Sequence, residues 1–173
     1  DNLVVFTTKT KYILSGNDIS TFTMKEAVGT KGGVSQELIY ADRNYIYFMA
    51  DDNQIYRFNG VSDQLISDRV QPELDKIQNL DTATMSVFNN QLRIHYAKKP
   101  STLVDRVLMY DMVFQQWFMD TGHPVAASMP ARIGDRTELL EISSRAGWVF
   151  LGERGYSDMG KAIDFKYWTP YKI

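Results

Sequence analysis

The chain has 173 residues, a formal net charge of −2 and no cysteine. The length suits a single domain, the charge argues against a protein that holds nucleic acid through a general basic field, and the lack of cysteine excludes thiol nucleophiles, disulfides and cysteine-ligated zinc. No stretch approaches the roughly 20 apolar residues of a membrane helix, and the absence of cysteine fits a protein made in a reducing cytoplasm.

A short aromatic strand followed by a polar turn occurs four times along the chain. The four strands begin at Tyr12, Ile55, Val107 and Trp148, an interval close to the roughly 40–50 residues of a four-stranded propeller blade. β-branched and aromatic residues recur in short clusters, which favours strands over helices. The sequence therefore predicts an all-β fold: a β-propeller or partial propeller of about four antiparallel β-meander units, in one domain over residues 1–173.

The units read as strands separated by turn residues. Asn59-Gly60, between Phe58 and Val61, predicts a two-residue type I′ turn, and Asn89-Asn90 predicts another tight turn. The predicted strands are residues 3–8, 12–14 and 19–25 in the first unit, 37–41, 45–49 and 54–58 in the second, 84–88, 92–96, 106–110 and 116–119 in the third, and 125–129, 138–143, 148–151 and 162–167 in the fourth.

One short helix is predicted near residues 69–78, between the second and third units. Ser67 and Asp68 are its expected N-caps, and Pro72 fits only in the first turn. Its apolar residues repeat at helical spacing: Val70, Leu74 and Ile77.

The aromatic side chains are expected to form the core before anything else. Burying Trp117 or Trp148 removes roughly 150–250 Å² from water, which at about 25 cal/mol per Å² outweighs a surface ion pair. The alternative is a stacking platform for sugars or bases.

Residues that commonly carry catalysis are sparse. His95 is expected to be a solvated or hydrogen-bonded strand residue, and His123 a turn residue, without companions at metal-ligand spacing. The run 51–53 lacks the glycine and the glutamate of a calcium loop, and Asp105 and Asp111 lie roughly 20 Å apart along one strand, too far for a glycosidase pair. We therefore predict no catalytic, cofactor-binding or metal-binding residues, and a protein that is not an enzyme.

Three lysines are predicted to contact DNA or a protein partner: Lys31, Lys98 and Lys99. Lys31 lies in the glycine-rich segment 29–33, which resembles a phosphate loop only superficially, because no helix pattern follows it. That segment is expected to be a mobile loop between units. Lys98 and Lys99 form a small basic loop tip.

Both ends of the chain have the character of strands. Residues 3–6 are apolar, and residues 163–168 alternate between apolar and polar. Natural termini are more often polar and frayed, so we expect a fragment of a longer polypeptide.

Several segments together resemble a family of β-propeller proteins from the necks and tails of tailed phages, of the nozzle or packaged-DNA stabilisation type. The third unit combines an inner strand, a Tyr110-Asp111 corner and a following tryptophan, as those proteins do. The segments that carry the resemblance are residues 3–7, 11–16, 45–49, 55–60, 67–70, 90–96, 108–111 with Trp117, 162–165 and 168–170.

The resemblance implies a structural virion protein of a tailed phage or prophage. Such a protein forms a homo-oligomeric ring in the neck or tail, is made in the host bacterial cytoplasm, contacts portal or adaptor and tail proteins, and helps to retain or conduct DNA. No cofactor and no catalytic residue carry over. The alternative is a carbohydrate- or receptor-binding propeller module, with exposed aromatics such as Tyr156, Trp168 and Tyr171 as its contacts, and an enzyme is the weakest interpretation.

Overall fold

The computed structural model describes residues 2–29, 31–153, 157–158 and 161–162, with side chains described for 2–29 and 31–153. Sixteen short strands occupy about half of this part of the chain. They are β1 (Asn2–Phe6), β2 (Lys11–Ser15), β3 (Thr23–Glu26), β4 (Ile39–Ala41), β5 (Ile46–Met49), β6 (Ile55–Phe58), β7 (Asp63–Leu65), β8 (Thr84–Phe88), β9 (Gln91–Tyr96), β10 (Arg106–Asp111), β11 (Gln116–Thr121), β12 (Val125–Ile133), β13 (Arg136–Ser143), β14 (Val149–Gly152), β15 (Ser157–Asp158) and β16 (Lys161–Ala162).

The strands form four antiparallel sheets in which every pairing joins neighbours along the chain. The first sheet is β1–β3, the second β4–β7, the third β8–β11 and the fourth β12–β14, while β15 and β16 pair as a two-stranded ribbon. The predicted all-β fold with four meander units is confirmed. The first unit has its three predicted strands, the second has a fourth strand, β7, beyond the three predicted, and the last predicted strand of the fourth unit, residues 162–167, falls mostly outside the described residues.

The second sheet is covered on both faces, because successive side chains of a strand point to opposite sides. In β5, Tyr47 and Met49 enter a core shared with the third sheet, and Phe48 enters a second core shared with the first sheet. The ring centroids of Phe48 and Phe6, from the first sheet, lie 5.1 Å apart. The sheets therefore pack in chain order, first on second and second on third.

The first strands of successive sheets also lie beside one another. Strand β4 contacts β8, and β8 contacts β12. None of the four sheets closes on itself, so the described residues form an open series of sheets.

The helix predicted near residues 69–78 is present but short. A 3₁₀ turn (Asp68–Val70) leads into a single α-helical turn, α1 (Gln71–Leu74), with Pro72 in its first turn as expected. The helix ends early because Ile77 leaves it to form an isolated β-bridge with Lys98. Every helical segment in the described part of the chain is far too short to cross a membrane.

The expected cap at Ser67 is wrong. Its side chain caps no helix; instead the buried hydroxyl accepts a hydrogen bond of 2.8 Å from the backbone N–H of Ile55. The Ser67 hydroxyl thus takes the place of a backbone carbonyl as the acceptor for the N–H of Ile55, the first residue of β6.

The type I′ turn predicted at Asn59-Gly60 is wrong, and a turn of this geometry occurs instead at Asn89-Asn90. Phe58 pairs with Asp63, so the loop has four residues, and Asn59 fixes it by accepting bonds from two backbone N–H groups through its side chain. Asn89 and Asn90 both adopt positive φ, 48° and 60°, between paired residues of β8 and β9. A two-residue loop with both φ values positive is the type I′ geometry.

The two tryptophans expected in the core have different environments. Trp117 packs against the core between the second and third sheets, 4.9 Å from the Tyr110 ring, and its indole N–H donates to the Ile66 carbonyl at 2.9 Å. Trp148 is 60% exposed. Its expected core position is wrong, because it precedes β14 at the border of the fourth sheet, where no second layer of the described residues covers it.

This difference provides a matched pair of substitutions. Trp117→Ala is expected to lower the free energy of unfolding by about 3 kcal/mol, because it opens a cavity and removes the partner of a backbone carbonyl. Trp148→Ala is expected to cost less than about 1 kcal/mol. Urea unfolding followed by circular dichroism measures both, and equal losses for the two variants would contradict the placement of Trp117.

Candidate functional site

The contact between the third and fourth sheets is polar, unlike the two apolar cores. We call it the polar joint, formed by Ser86, Arg93, His95, Ser128 and Glu141, all of them buried. Cross-strand register explains the grouping: Ser86 pairs with Arg93, and Ser128 pairs with Glu141, so each pair shares one face of its sheet. These two faces point at each other.

The inner part of the polar joint is a chain of hydrogen bonds. The Ser128 hydroxyl lies 2.7 Å from His95 Nε2 and 2.7 Å from the Ser86 hydroxyl. Burial lowers the pKa of His95 to about 4, partly offset by the Glu141 carboxylate. The imidazole is therefore neutral at physiological pH.

A serine beside a histidine invites comparison with a nucleophile–base pair. Ser128 shares its hydroxyl with a second serine, and His95 is fully buried with no hydrogen-bond partner at Nδ1 to orient it. Neither residue lines the two cavities described below. The arrangement holds two sheets together, and the expectation that His95 is a hydrogen-bonded strand residue is confirmed.

The outer part of the polar joint is an ionic network. Arg93 pairs with Glu153 and with Glu141, whose Oε1 lies 3.9 Å from the Arg93 Nη1 atom. The other Glu141 oxygen lies 3.1 Å from Nε2 of His123. Burial lowers the pKa of the Arg93 guanidinium, and the nearby carboxylates oppose that shift.

Gly152 makes room for this network. A Cβ atom at this position would lie 2.6 Å from the Glu141 carboxyl carbon. Gly152 faces Glu141 from the neighbouring strand β14, so a side chain there would displace the carboxylate. The lack of a side chain at Gly152 thus leaves the space that the Glu141 carboxylate occupies.

A cavity of about 250 Å³ opens beside the network, between the third and fourth sheets. Val107 and Met109 from β10 form its apolar floor. Its polar lining consists of Arg93, Asp120, His123, Glu141 and Glu153. Three carboxylates therefore face one guanidinium and one imidazole.

A second, shallower cavity of about 260 Å³ lies between α1 and the outer strands of the third sheet. Its lining is mostly apolar and includes Val70, Leu108, Trp117 and Met119. Glu73 at its border accepts a hydrogen bond from Tyr96 and pairs with Lys76. It belongs to the packing of the helix on the sheet.

One lysine is buried between the first and second sheets. Lys11 is fully buried, and its ammonium lies 2.7 Å from an Asp63 carboxylate oxygen and 2.7 Å from the Lys31 carbonyl. Phenylalanine rings surround it, with the centroids of Phe48 and Phe58 at 4.8 and 5.1 Å. The Lys11 ammonium is therefore a buried cation in a pocket of aromatic rings, and its pairing with Asp63 links the first sheet to the second.

The three lysines predicted as partner or DNA contacts lie in two separate settings. Lys31 is half-buried and pairs with Asp52 at 2.6 Å, a contact that raises its pKa. Lys98 and Lys99 follow β9, where Lys98 takes part in the bridge to Ile77 and the Lys99 ammonium donates to the Asp75 carbonyl at 3.2 Å. Their proposed contacts stay predictions.

The glycine-rich segment around Lys31 is packed, although it was expected to be mobile. Gly32 and Gly33 are buried, and a Cβ atom at Gly32 would lie 2.0 Å from the Thr7 carbonyl oxygen. The glycines allow the segment to pass close to the first sheet.

The carboxylates near the second sheet have structural partners. Asp51 pairs with Lys9, and Asp52 pairs with Lys31 and accepts a bond from the Tyr56 hydroxyl. No group of three or more potential ligands suited to a metal occurs among the residues that the structure describes. The aromatic candidates Tyr156, Trp168 and Tyr171 lie outside those residues.

Comparison with known proteins gives no family assignment: no protein-family model matches the chain, and no curated protein matches it.

Proposed function

We propose that the chain forms part of a β-propeller and serves as a structural component of a tailed-phage virion, in a ring of the neck or tail. In this proposal the ring contacts portal or adaptor and tail proteins, lies in the virion, and helps to retain or conduct DNA. The observation that carries it is an open series of four sheets whose two end faces are both apolar and exposed.

The order of the sheets supports a propeller arrangement. Propeller blades are antiparallel meanders placed around a central axis. The contacts of β4 with β8 and of β8 with β12 fit blades whose first strands lie nearest the axis. The face-to-face packing of successive sheets fits the same arrangement.

The first sheet has an apolar face that none of the other described sheets covers. Leu3, Leu14 and Met24 form one cross-strand row on it, beside Val5 and Tyr12. Leu3 is 60% and Met24 64% exposed. The opposite face of the same sheet packs on the second sheet through Val4, Phe6 and Ile13.

The fourth sheet has a similar face on the side away from the polar joint. Met129, Leu140 and Leu151 form one cross-strand row, and Ile142 and Val149 pair in the next. Met129 is 53% and Val149 62% exposed. Contiguous exposed apolar surface marks contact sites, so both end faces are suited to further sheets or subunits.

The DNA contact in this proposal belongs to Lys98 and Lys99. Lys31 already has a carboxylate partner, which reduces what it offers to a phosphate. Lys99 is exposed, and among the described residues its ammonium bonds only to a backbone carbonyl, so its charge remains available for non-specific phosphate contact.

Electron microscopy of the full-length protein, alone and mixed with portal complexes from the same genome, tests the proposal. We expect rings with a central channel beneath the portal. Met24→Glu, which places a charge on the first end face, is expected to abolish ring formation, whereas Val61→Glu, at an exposed turn of the second sheet, is expected to leave it intact. Particles that ignore the portal, or rings that persist with Met24→Glu, would contradict the proposal.

A carbohydrate- or receptor-binding module is the second candidate function. The observation that favours it is the polar cavity between the third and fourth sheets, which combines an apolar floor with charged hydrogen-bonding groups. Ligand sites are commonly concave, with a few well-placed polar groups.

A further inference from the structure

We propose that the cavity between the third and fourth sheets binds a small, neutral, polyhydroxylated ligand of the size of one sugar ring. The inference rests on the second candidate function and deepens it, because it names the site and the ligand class. Ring assembly does not depend on it.

The donor side of the site is Arg93. Its side chain is 7% exposed, and its Nη2 atom donates to Gln91 Oε1 at 2.8 Å and pairs with Glu153. The Nη1 atom is 3.9 Å from the Glu141 carboxylate, which is longer than a hydrogen bond. A buried donor without a partner is costly, so an acceptor placed in the cavity would be bound favourably.

The acceptor side is formed by carboxylates. The Asp120 side chain makes no hydrogen bond or salt bridge with the other described residues, and Glu153 uses a single oxygen to pair with Arg93. These oxygens accept hydrogen bonds from ligand donors. Bonds to charged acceptors are the stronger kind.

The charges restrict the ligand class. An anion bound at Arg93 would lie beside Glu141 and Glu153, which already pair with that guanidinium, and would be repelled. A simple ammonium ion would satisfy Asp120 but offers no acceptor to Arg93 Nη1. A hydroxyl group donates and accepts at once, so neighbouring hydroxyls satisfy both sides.

The size and rigidity of the cavity agree with this class. Its volume of about 250 Å³ equals roughly eight water molecules at about 30 Å³ each. Val107 and Met109 offer an apolar floor to the C–H face of a ring. The walls are held in place before binding, since the Glu141 side chain is 4% exposed and is fixed by Arg93 and His123.

Titration of the ¹⁵N-labelled full chain with D-glucose, D-galactose and N-acetyl-D-glucosamine tests the site. At least one neutral sugar, at up to about 100 mM, is expected to shift the amide resonances of Met109, Asp120 and Glu141. D-glucuronate, an anion, and propylammonium, a cation without hydroxyls, are expected to leave them unchanged. If none of the neutral sugars shifts these amides, the cavity holds water only and the proposal is overturned.

Two variants and a control localise the binding. Asp120→Ala is expected to weaken sugar binding about tenfold through loss of a charged acceptor, and Met109→Phe is expected to weaken it by filling the cavity. Asp135→Ala, at the exposed β12–β13 turn, is expected to bind as the parent does. The proposal would be overturned if Asp120→Ala bound the sugar with unchanged affinity. It would also be overturned if propylammonium bound and no neutral sugar did. Neither result bears on ring formation.

Discussion

Replacing Lys11 with methionine is expected to lower the free energy of unfolding by about 3–5 kcal/mol. The ammonium is fully buried and lies 2.7 Å from the Asp63 carboxylate. Methionine matches the length of the side chain and suits the pocket of phenylalanine rings, but it leaves the Asp63 charge without a partner. The other Asp63 oxygen, Oδ1, is already buried without a hydrogen bond, so nothing nearby compensates.

Lys9→Met is the matched control for Lys11→Met. Lys9 pairs with Asp51, yet its side chain is 77% exposed, and exposed pairs contribute at most about 1 kcal/mol. Adding Asp63→Asn to Lys11→Met removes the orphaned charge and is expected to recover part of the loss. Chemical unfolding of all four proteins measures these differences, and a loss below about 1 kcal/mol for Lys11→Met would show that the ammonium is solvated.

The second large effect is a loss of stability in mild acid that depends on His95. Burial lowers the pKa of His95 to about 4, whereas the unfolded chain has a value near 6.5. The unfolded state therefore binds a proton first, so stability is full above pH 6.5 and falls as the pH decreases towards 4. The whole contribution is about 3 kcal/mol, of which about 2 kcal/mol is lost between pH 6.5 and 5.

His95→Gln is the test of that assignment. Glutamine keeps a polar group near Ser128 but does not titrate, so the variant is expected to lose much less stability than the parent between pH 6.5 and 5. This interval lies above the range in which most carboxylates protonate. The side chains of Glu141, Arg93 and His123 interact electrostatically with the His95 imidazole. All three are present in both the parent and the variant. An equal dependence on pH in parent and variant would mean that His95 is not buried as a neutral group.

The sheets could be predicted from the sequence because their signal is local. Alternation in residues 45–49 and 92–96 and the turn residues between them lie within a few positions of each other, and neighbouring strands pair in the fold. Two predictions of local structure were wrong because another contact outcompetes the local preference, in one case a nearby side chain and in the other a residue distant along the chain. Asn59-Gly60 carries the type I′ sequence, but the Asn59 side chain stabilises a wider loop, and Ile77 leaves a helical pattern for a bridge across to Lys98.

The polar joint could not be predicted in this way. Arg93 and Glu141 are brought together by packing between sheets, and no sequence spacing indicates that contact. Lys11 is equally inconspicuous, because a lysine that begins a strand is usually exposed. A weak signal did exist: His95 and Arg93 alternate with Leu92, Ile94 and Tyr96 in a strand of high apolar content, which indicates a polar face opposite an apolar one.

The sequential pairing of strands has a consequence for how the protein is made. Each described sheet is complete once its last strand has been synthesised, since within residues 2–29 and 31–153 every strand pairs only with its neighbours along the chain. Low sequence separation between contacting segments favours rapid folding. Each of the four sheets then finds one face of the preceding sheet already formed, so these sheets can be added one layer at a time during translation.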